Sequence, residues 1–157
     1  MADLRQASVL LLLLMFGCSR IPVLTPDTLH AAQTRWEKSG PGNYRMVVET
    51  SGDHMETSRY EVTVRAKAVV KLERNGNSLQ TEAGGNSYTV EGLFHTMDQE
   101  IDLQVKPQLL GAPPGYASYP MASFDGATGR LLRFQRSVGG TRNSIEIVVR
   151  EFEILEQ

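Results

Sequence analysis

The chain has 157 residues, 41% hydrophobic and 22% charged, a balance that suits one globular domain and excludes a disordered or fibrous chain. The 16 basic and 18 acidic residues leave a formal charge of −2 with no long block of one sign, which argues against an electrostatic nucleic-acid binder. One cysteine, Cys18, excludes an intramolecular disulfide.

The first element is SVLLLLLMFGCSR, Ser8 to Arg20. Its apolar run, Ala7 to Phe16, is about 10 residues, whereas a membrane-spanning helix needs roughly 20. It reads as the h-region of a secretory signal peptide, with Arg5 in a positive n-region. An ordinary cleavage site has small residues at −3 and −1; Gly17 suits −1, but Met15 stands at −3. The pattern resembles a bacterial lipobox, in which the cysteine after a small residue receives diacylglycerol. Residues 1–17 are therefore expected to be removed and Cys18 to carry the lipid. Residues 18–24 form a tether reaching on the order of 25 Å when extended. Residues 25–157 form a single domain, long enough to bury a core without disulfides. The expected location is the bacterial cell envelope, with the protein anchored to a membrane by its lipid.

TPDTLHAAQTRWEKSGPG has the marks of a capped helix: Thr25 at the N-cap, Pro26 at the first position, and Gly40 with Pro41 at the end. Leu29, Ala32 and Trp36 form its apolar stripe. NYRMVVET alternates as a strand, with Tyr44, Met46 and Val48 on one face. From Tyr60 to Leu72 apolar residues occupy every second position, as one long bent strand or two strands turning near Ala66 to Ala68. TVEGLFHTMDQEIDLQV predicts a second helix, capped by Thr89, with Val90, Leu93, Phe94, Met97 and Ile101 inward. After the loop LGAPPGYASYP, three strands are predicted around Met121–Phe124, Leu131–Arg136 and Ser144–Leu155. In the last, Ile145, Ile147 and Val149 are out of phase with Phe152 and Ile154, and a bulge near Arg150 reconciles them. The class is α+β: an antiparallel sheet of about five or six strands with two helices on one face.

Trp36, Tyr44-Arg45, VTVRAKAVVKL, TVEGLF, YPMASFD and the closing EIVVREF together resemble a family of small bacterial envelope lipoproteins of unknown function. The resemblance runs from about Thr34 to Leu155, and its sharpest element is Thr89 to Phe94. It implies the same helix–strands–helix–strands fold and the same compartment, and no catalytic residues. Many members carry a cysteine pair after the first strand; Glu49 to Asp53 stand there in this chain, so no disulfide carries over.

His30, His54 and His95 lie in separate segments, and His95 with Asp98 and Asp102 reads as a solvated helix face rather than a metal site. There is no G-x-S-x-G nucleophile elbow and no P-loop lysine, so no catalytic, cofactor or metal residue is predicted. Arg130, Arg133, Arg136 and Arg142 read as a basic cluster on a solvated sheet face. In LGAPPGYASYP, prolines stiffen a loop holding Tyr116 and Tyr119, large amphipathic rings that suit partner contact. The other reading of that loop is a plain connector whose tyrosines cover a sheet edge. The leading expectation is a lipid-anchored, non-catalytic protein. Its partners would be the membrane, through the anchor, and an envelope protein or cell-wall component, but not nucleic acid. A carrier of a lipid or small apolar ligand and an envelope hydrolase are the alternatives.

Overall fold

A computed structural model of the protein describes residues 20–81 and 85–156. The signal peptide and Cys18 fall on residues 1–19, outside the described residues. Helix α1, Pro26–Ser39, begins with a reciprocal cap: Thr28 N–H donates to Thr25 Oγ1 at 3.2 Å, and Thr25 N–H to Thr28 Oγ1 at 3.0 Å. Leu29, Ala32 and Trp36 are its buried residues. It stops at Gly40, where any Cβ would lie 2.5 Å from the Trp36 ring. The remaining elements are β1 (Tyr44–Gly52), β2 (Met55–Arg65), β3 (Ala68–Arg74), β4 (Asn77–Ser78), α2 (Val90–Gln104), β5 (Ser118–Phe124), β6 (Leu131–Val138) and β7 (Ser144–Ile154).

The strands form one antiparallel sheet in the order β4-β3-β2-β1-β7-β6-β5. The α+β class holds, with seven strands in place of five or six. The alternation from Tyr60 to Leu72 divides into β2 and β3 at Ala66 and Lys67, with φ 49° and 63°. Neither residue favours this left-handed turn. Two bonds from the preceding loop hold it: Ala66 N–H to Asn43 Oδ1 at 2.8 Å and Lys67 N–H to Gly42 O at 3.0 Å. Val64 pairs with Val69 but Thr63 with Lys71, so Val70 is a bulged residue and stands exposed, out of the inward phase its sequence position suggests. The seventh strand, β4, has two residues after the Asn75-Gly76 turn and is too short to show a period.

In β7 the expected bulge is present. Val47 pairs with Glu151 and Val48 with Val149, leaving Arg150 as the extra residue. Ile145, Ile147, Val149 and Phe152 thereby all pack toward the core. They meet Tyr44, Met46 and Val48 of β1, Tyr60, Val62 and Val64 of β2, and Phe134 of β6 beneath Leu29, Trp36, Leu93, Phe94 and Met97 of the helices. The opposite sheet face carries cross-strand ion pairs. Arg45 bonds Glu61 at 2.8 Å and Glu151 at 2.9 Å, and Arg59 bonds Glu151 at 2.8 Å. These guanidinium hydrogen bonds hold both carboxyls below the usual carboxylate range.

The segment expected to be a tether is docked at its far end. Leu24 N–H donates to Pro120 O at 2.9 Å, Ala122 N–H to Pro22 O at 3.0 Å, and Val23 bridges Met121. Leu24 itself is fully buried. Residues 22–24 therefore cover the outer edge of β5, which would otherwise offer unpaired backbone groups.

Candidate binding face

The loop before β5 is built from successive turns. A 3-10 turn, Pro107–Leu110, ends at Gly111 with φ 85°. Ala112 is buried and its N–H donates to Pro107 O at 3.1 Å. Tyr116 N–H then donates to Pro113 O at 3.1 Å, with Pro114 and a left-handed Gly115 (φ 85°) between them, as a type II turn requires. Gly139 N–H donates to Ala117 O at 2.9 Å, which ties the loop to the β6–β7 hairpin. Gly139 and Gly140 also form the seat of the Tyr116 ring: a Cβ at either would approach the Tyr116 side chain to 3.0–3.2 Å.

Tyr116 and Tyr119 are 53% and 55% exposed. Tyr116 lies in the loop, as expected, but Tyr119 belongs to β5, which begins three residues before the predicted start. Pro120 hid this. Its carbonyl faces residues 22–24 at the edge, so the N–H that proline lacks would point the same way and breaks no bond to β6. Tyr119 pairs with Ser137, and Ser137 pairs with Ser144. Ser144 Oγ donates to Asp53 Oδ2 at 2.6 Å. One row thus crosses β5, β6, β7 and the β1–β2 turn on the helix-free face. The next row holds Met121, Gln135, Glu146 and Ser51. Glu146 Oε1 accepts from Arg133 Nε at 2.6 Å and from Gln135 Nε2 at 2.9 Å. Ser137, Ser144 and Asp53 of the first row and Met121, Gln135, Glu146 and Ser51 of the second line a groove of about 480 Å³, and Tyr119 stands beside it, opposite Ser137.

On the other side of the sheet a charged pair is buried. Arg136 Nη1 lies 3.4 Å from both oxygens of Glu100 on α2, with each side chain under 10% exposed. Arg136 Nη2 donates to Asn143 Oδ1 at 2.9 Å, and Asn143 Nδ2 to Leu110 O at 2.9 Å, so the network reaches the base of the tyrosine loop. Arg136 Nε and the nearby Ser118 Oγ have no partner among the described residues. Burial holds the Glu100 carboxyl above its ordinary pKa against the pull of Arg136. The expected basic cluster is therefore dispersed. Arg136 is inside, Arg133 is on the outer face, and Arg130 lies over the Phe152 ring at 4.7 Å.

A second groove of about 710 Å³ lies beside the start of α2, among Lys67, Asn86, Glu91, His95 and Gln99. Here each residue of Thr89–Phe94 has a packing duty. Thr89 Oγ1 accepts Gly92 N–H at 3.0 Å and donates to Asn86 O at 2.8 Å. Glu91 accepts from Trp36 Nε1 at 2.7 Å and from Tyr44 OH at 3.4 Å, and Tyr44 OH accepts Val90 N–H at 3.2 Å. A Cβ at Gly92 would fall 1.8 Å from Asn86 O, and Val90, Leu93 and Phe94 are buried. Burial and Glu91 raise the Tyr44 pKa well above its ordinary value, so its hydroxyl stays a donor. Among the described residues no three His, Cys, Asp or Glu side chains are grouped to hold a metal ion, and no helix is long and apolar enough to cross a membrane. His95 instead meets Gln99 at 3.2 Å.

Comparison with curated proteins finds no match. A match to a family of unknown function, DUF6174, covers residues 28–107, from the first turn of α1 to the 3-10 turn after α2. The tyrosine loop and β5 to β7 lie beyond the matched segment. With half the chain matched, the protein belongs to the DUF6174 family.

Proposed function

We propose that the protein is a lipid-anchored, non-catalytic domain of the bacterial envelope that binds a protein or cell-wall partner close to a membrane. The observation that carries this reading is the pair of half-exposed tyrosines at one end of the sheet, Tyr116 in a hydrogen-bonded loop and Tyr119 on β5. Rings fixed in advance lose little conformational freedom on binding. The sequence at Cys18 supports the anchor. Cys18 lies four residues before Pro22, so the attachment point is at most about 14 Å along the chain from the edge of β5. The carrier alternative is less well supported, because Leu29, Leu93, Met97 and Phe134 already fill the layer between helices and sheet.

Two measurements test the two halves of this reading. Mass spectrometry of protein from its source cell should show acylated Cys18 as the mature N-terminus; an intact Met1 with a free thiol would remove the anchor. The Tyr116→Ala, Tyr119→Ala double variant should melt within about 1 kcal/mol of the parent, as exposed side chains away from special features do. It should also lose the partners that co-purify from detergent-solubilised envelopes. Retention of those partners, or a loss of several kcal/mol, defeats the binding role.

A further inference from the structure

We propose that the groove on the helix-free sheet face binds a neutral glycan chain, with a sugar ring stacked on Tyr119. This rests on the reading of the protein as a binding domain and names the chemistry of its partner.

Tyr119 and Ser137 are directly opposed on antiparallel strands, so the ring stands on the same sheet face as the groove, next to Ser137, which lines it. More than half of it is exposed. The C–H face of a pyranose packs on such a ring, leaving its hydroxyls to the flanks. Those flanks mix donors and acceptors: the hydroxyls of Ser137 and Ser144, the Gln135 amide, and the carboxylates of Asp53 and Glu146. A sugar hydroxyl, which donates and accepts at once, is satisfied by that mixture. The charges point the same way. Glu146 is neutralised by Arg133, and Asp53 is occupied by the Ser144 hydroxyl, leaving the groove without an unpaired cation for a phosphate among its described lining residues. A carboxylate has roughly four acceptor positions, so both retain capacity for ligand hydroxyls. The volume, about 480 Å³, falls within the roughly 300–1,000 Å³ typical of small-ligand sites. Most of the lining side chains sit on strands, which fixes their geometry before the ligand arrives.

The probe is a soluble hexamer of β-1,4-linked N-acetylglucosamine, titrated calorimetrically into the mature full-length protein in detergent micelles. Saturable binding is expected, with amide shifts at Ser137 and Ser144. Tyr119→Ala should weaken it by about tenfold or more, whereas Tyr119→Phe, which keeps the ring, should stay within about threefold. Both variants are checked for an unchanged melting midpoint. No binding at millimolar sugar, equal affinity of Tyr119→Ala and parent, or shifts confined to the α2 groove would each overturn the proposal. If envelope partners are still captured through the tyrosines while the hexamer fails to bind, the glycan assignment falls and the binding-domain reading stands. If capture is also lost from the parent protein, both fall.

Discussion

Replacing Glu100 with leucine is expected to lower stability by about 3–5 kcal/mol, because it leaves the Arg136 guanidinium buried without its counter-charge. The loss should appear as an earlier urea midpoint at an unchanged slope. Burying an ion pair is costly in itself, and the raised pKa of Glu100 shows that burial outweighs the pull of Arg136 at this carboxyl. The sign follows from linkage. The carboxyl holds its proton more tightly folded than unfolded, so its favourable contribution is full below the ordinary glutamate pKa and fades as pH rises through the folded value. At neutral pH the pair therefore stabilises little in net, while either half alone destabilises strongly. The double variant Glu100→Leu, Arg136→Met should recover most of the single-variant loss, since apolar residues of similar volume often replace a buried pair without cost. An indifferent Glu100→Leu, or a double variant worse than the single, would show that Arg136 is supported by Asn143 rather than by Glu100.

Phe94→Ala carries an expected cost of the same size, about 3–5 kcal/mol, by a different route. Phe94 is 5% exposed, with its ring 6.3 Å from that of Phe124 in β5. Truncation removes apolar contact and leaves a cavity between α2 and the sheet that neighbouring side chains fill only in part. Conversion to leucine should return a substantial share of the loss. A cost below about 1 kcal/mol for alanine would mean that the layer collapses around the gap.

The helices were legible because their signals are local. Thr25 and Pro26 mark the start of α1, Gly40 its end, and Leu29, Ala32 and Trp36 the stripe between. The same holds for Thr89 and the inward face of α2. Strand boundaries were less legible where tertiary bonds override local preference. Asn43 and Gly42 hold a left-handed turn at Ala66 and Lys67 that their own chemistry disfavours, and an edge position admits Pro120 into a strand. Glu100 and Arg136 leave a trace in the sequence. Glu100 follows Leu93 and Met97 at helical spacing, and Arg136 alternates with Phe134 and Val138. A charge in a core phase on two elements signals a buried pair.

The candidate binding face was legible only in Tyr116 and Tyr119. Its other members, Asp53, Gln135, Ser137, Ser144 and Glu146, come together through the register of separate strands, and no period along the chain records that adjacency. The TVEGLF motif, the sharpest element of the resemblance, proved to be an account of packing: a cap, an anchor for Trp36 and Tyr44, and a close approach at Gly92.

The position of β7 beside β1 also governs the timing of assembly. Tyr44 pairs with Ile154, about 110 residues later, so the middle of the sheet joins nearly the two ends of the folded chain. During synthesis β1 can find β2 at once, but its other side stays open until the last strand emerges from the ribosome. Until then the core is unfinished and depends on a slow closure between distant segments. If the chain is exported as proposed above, that delay would leave it unfolded for passage through a translocation channel.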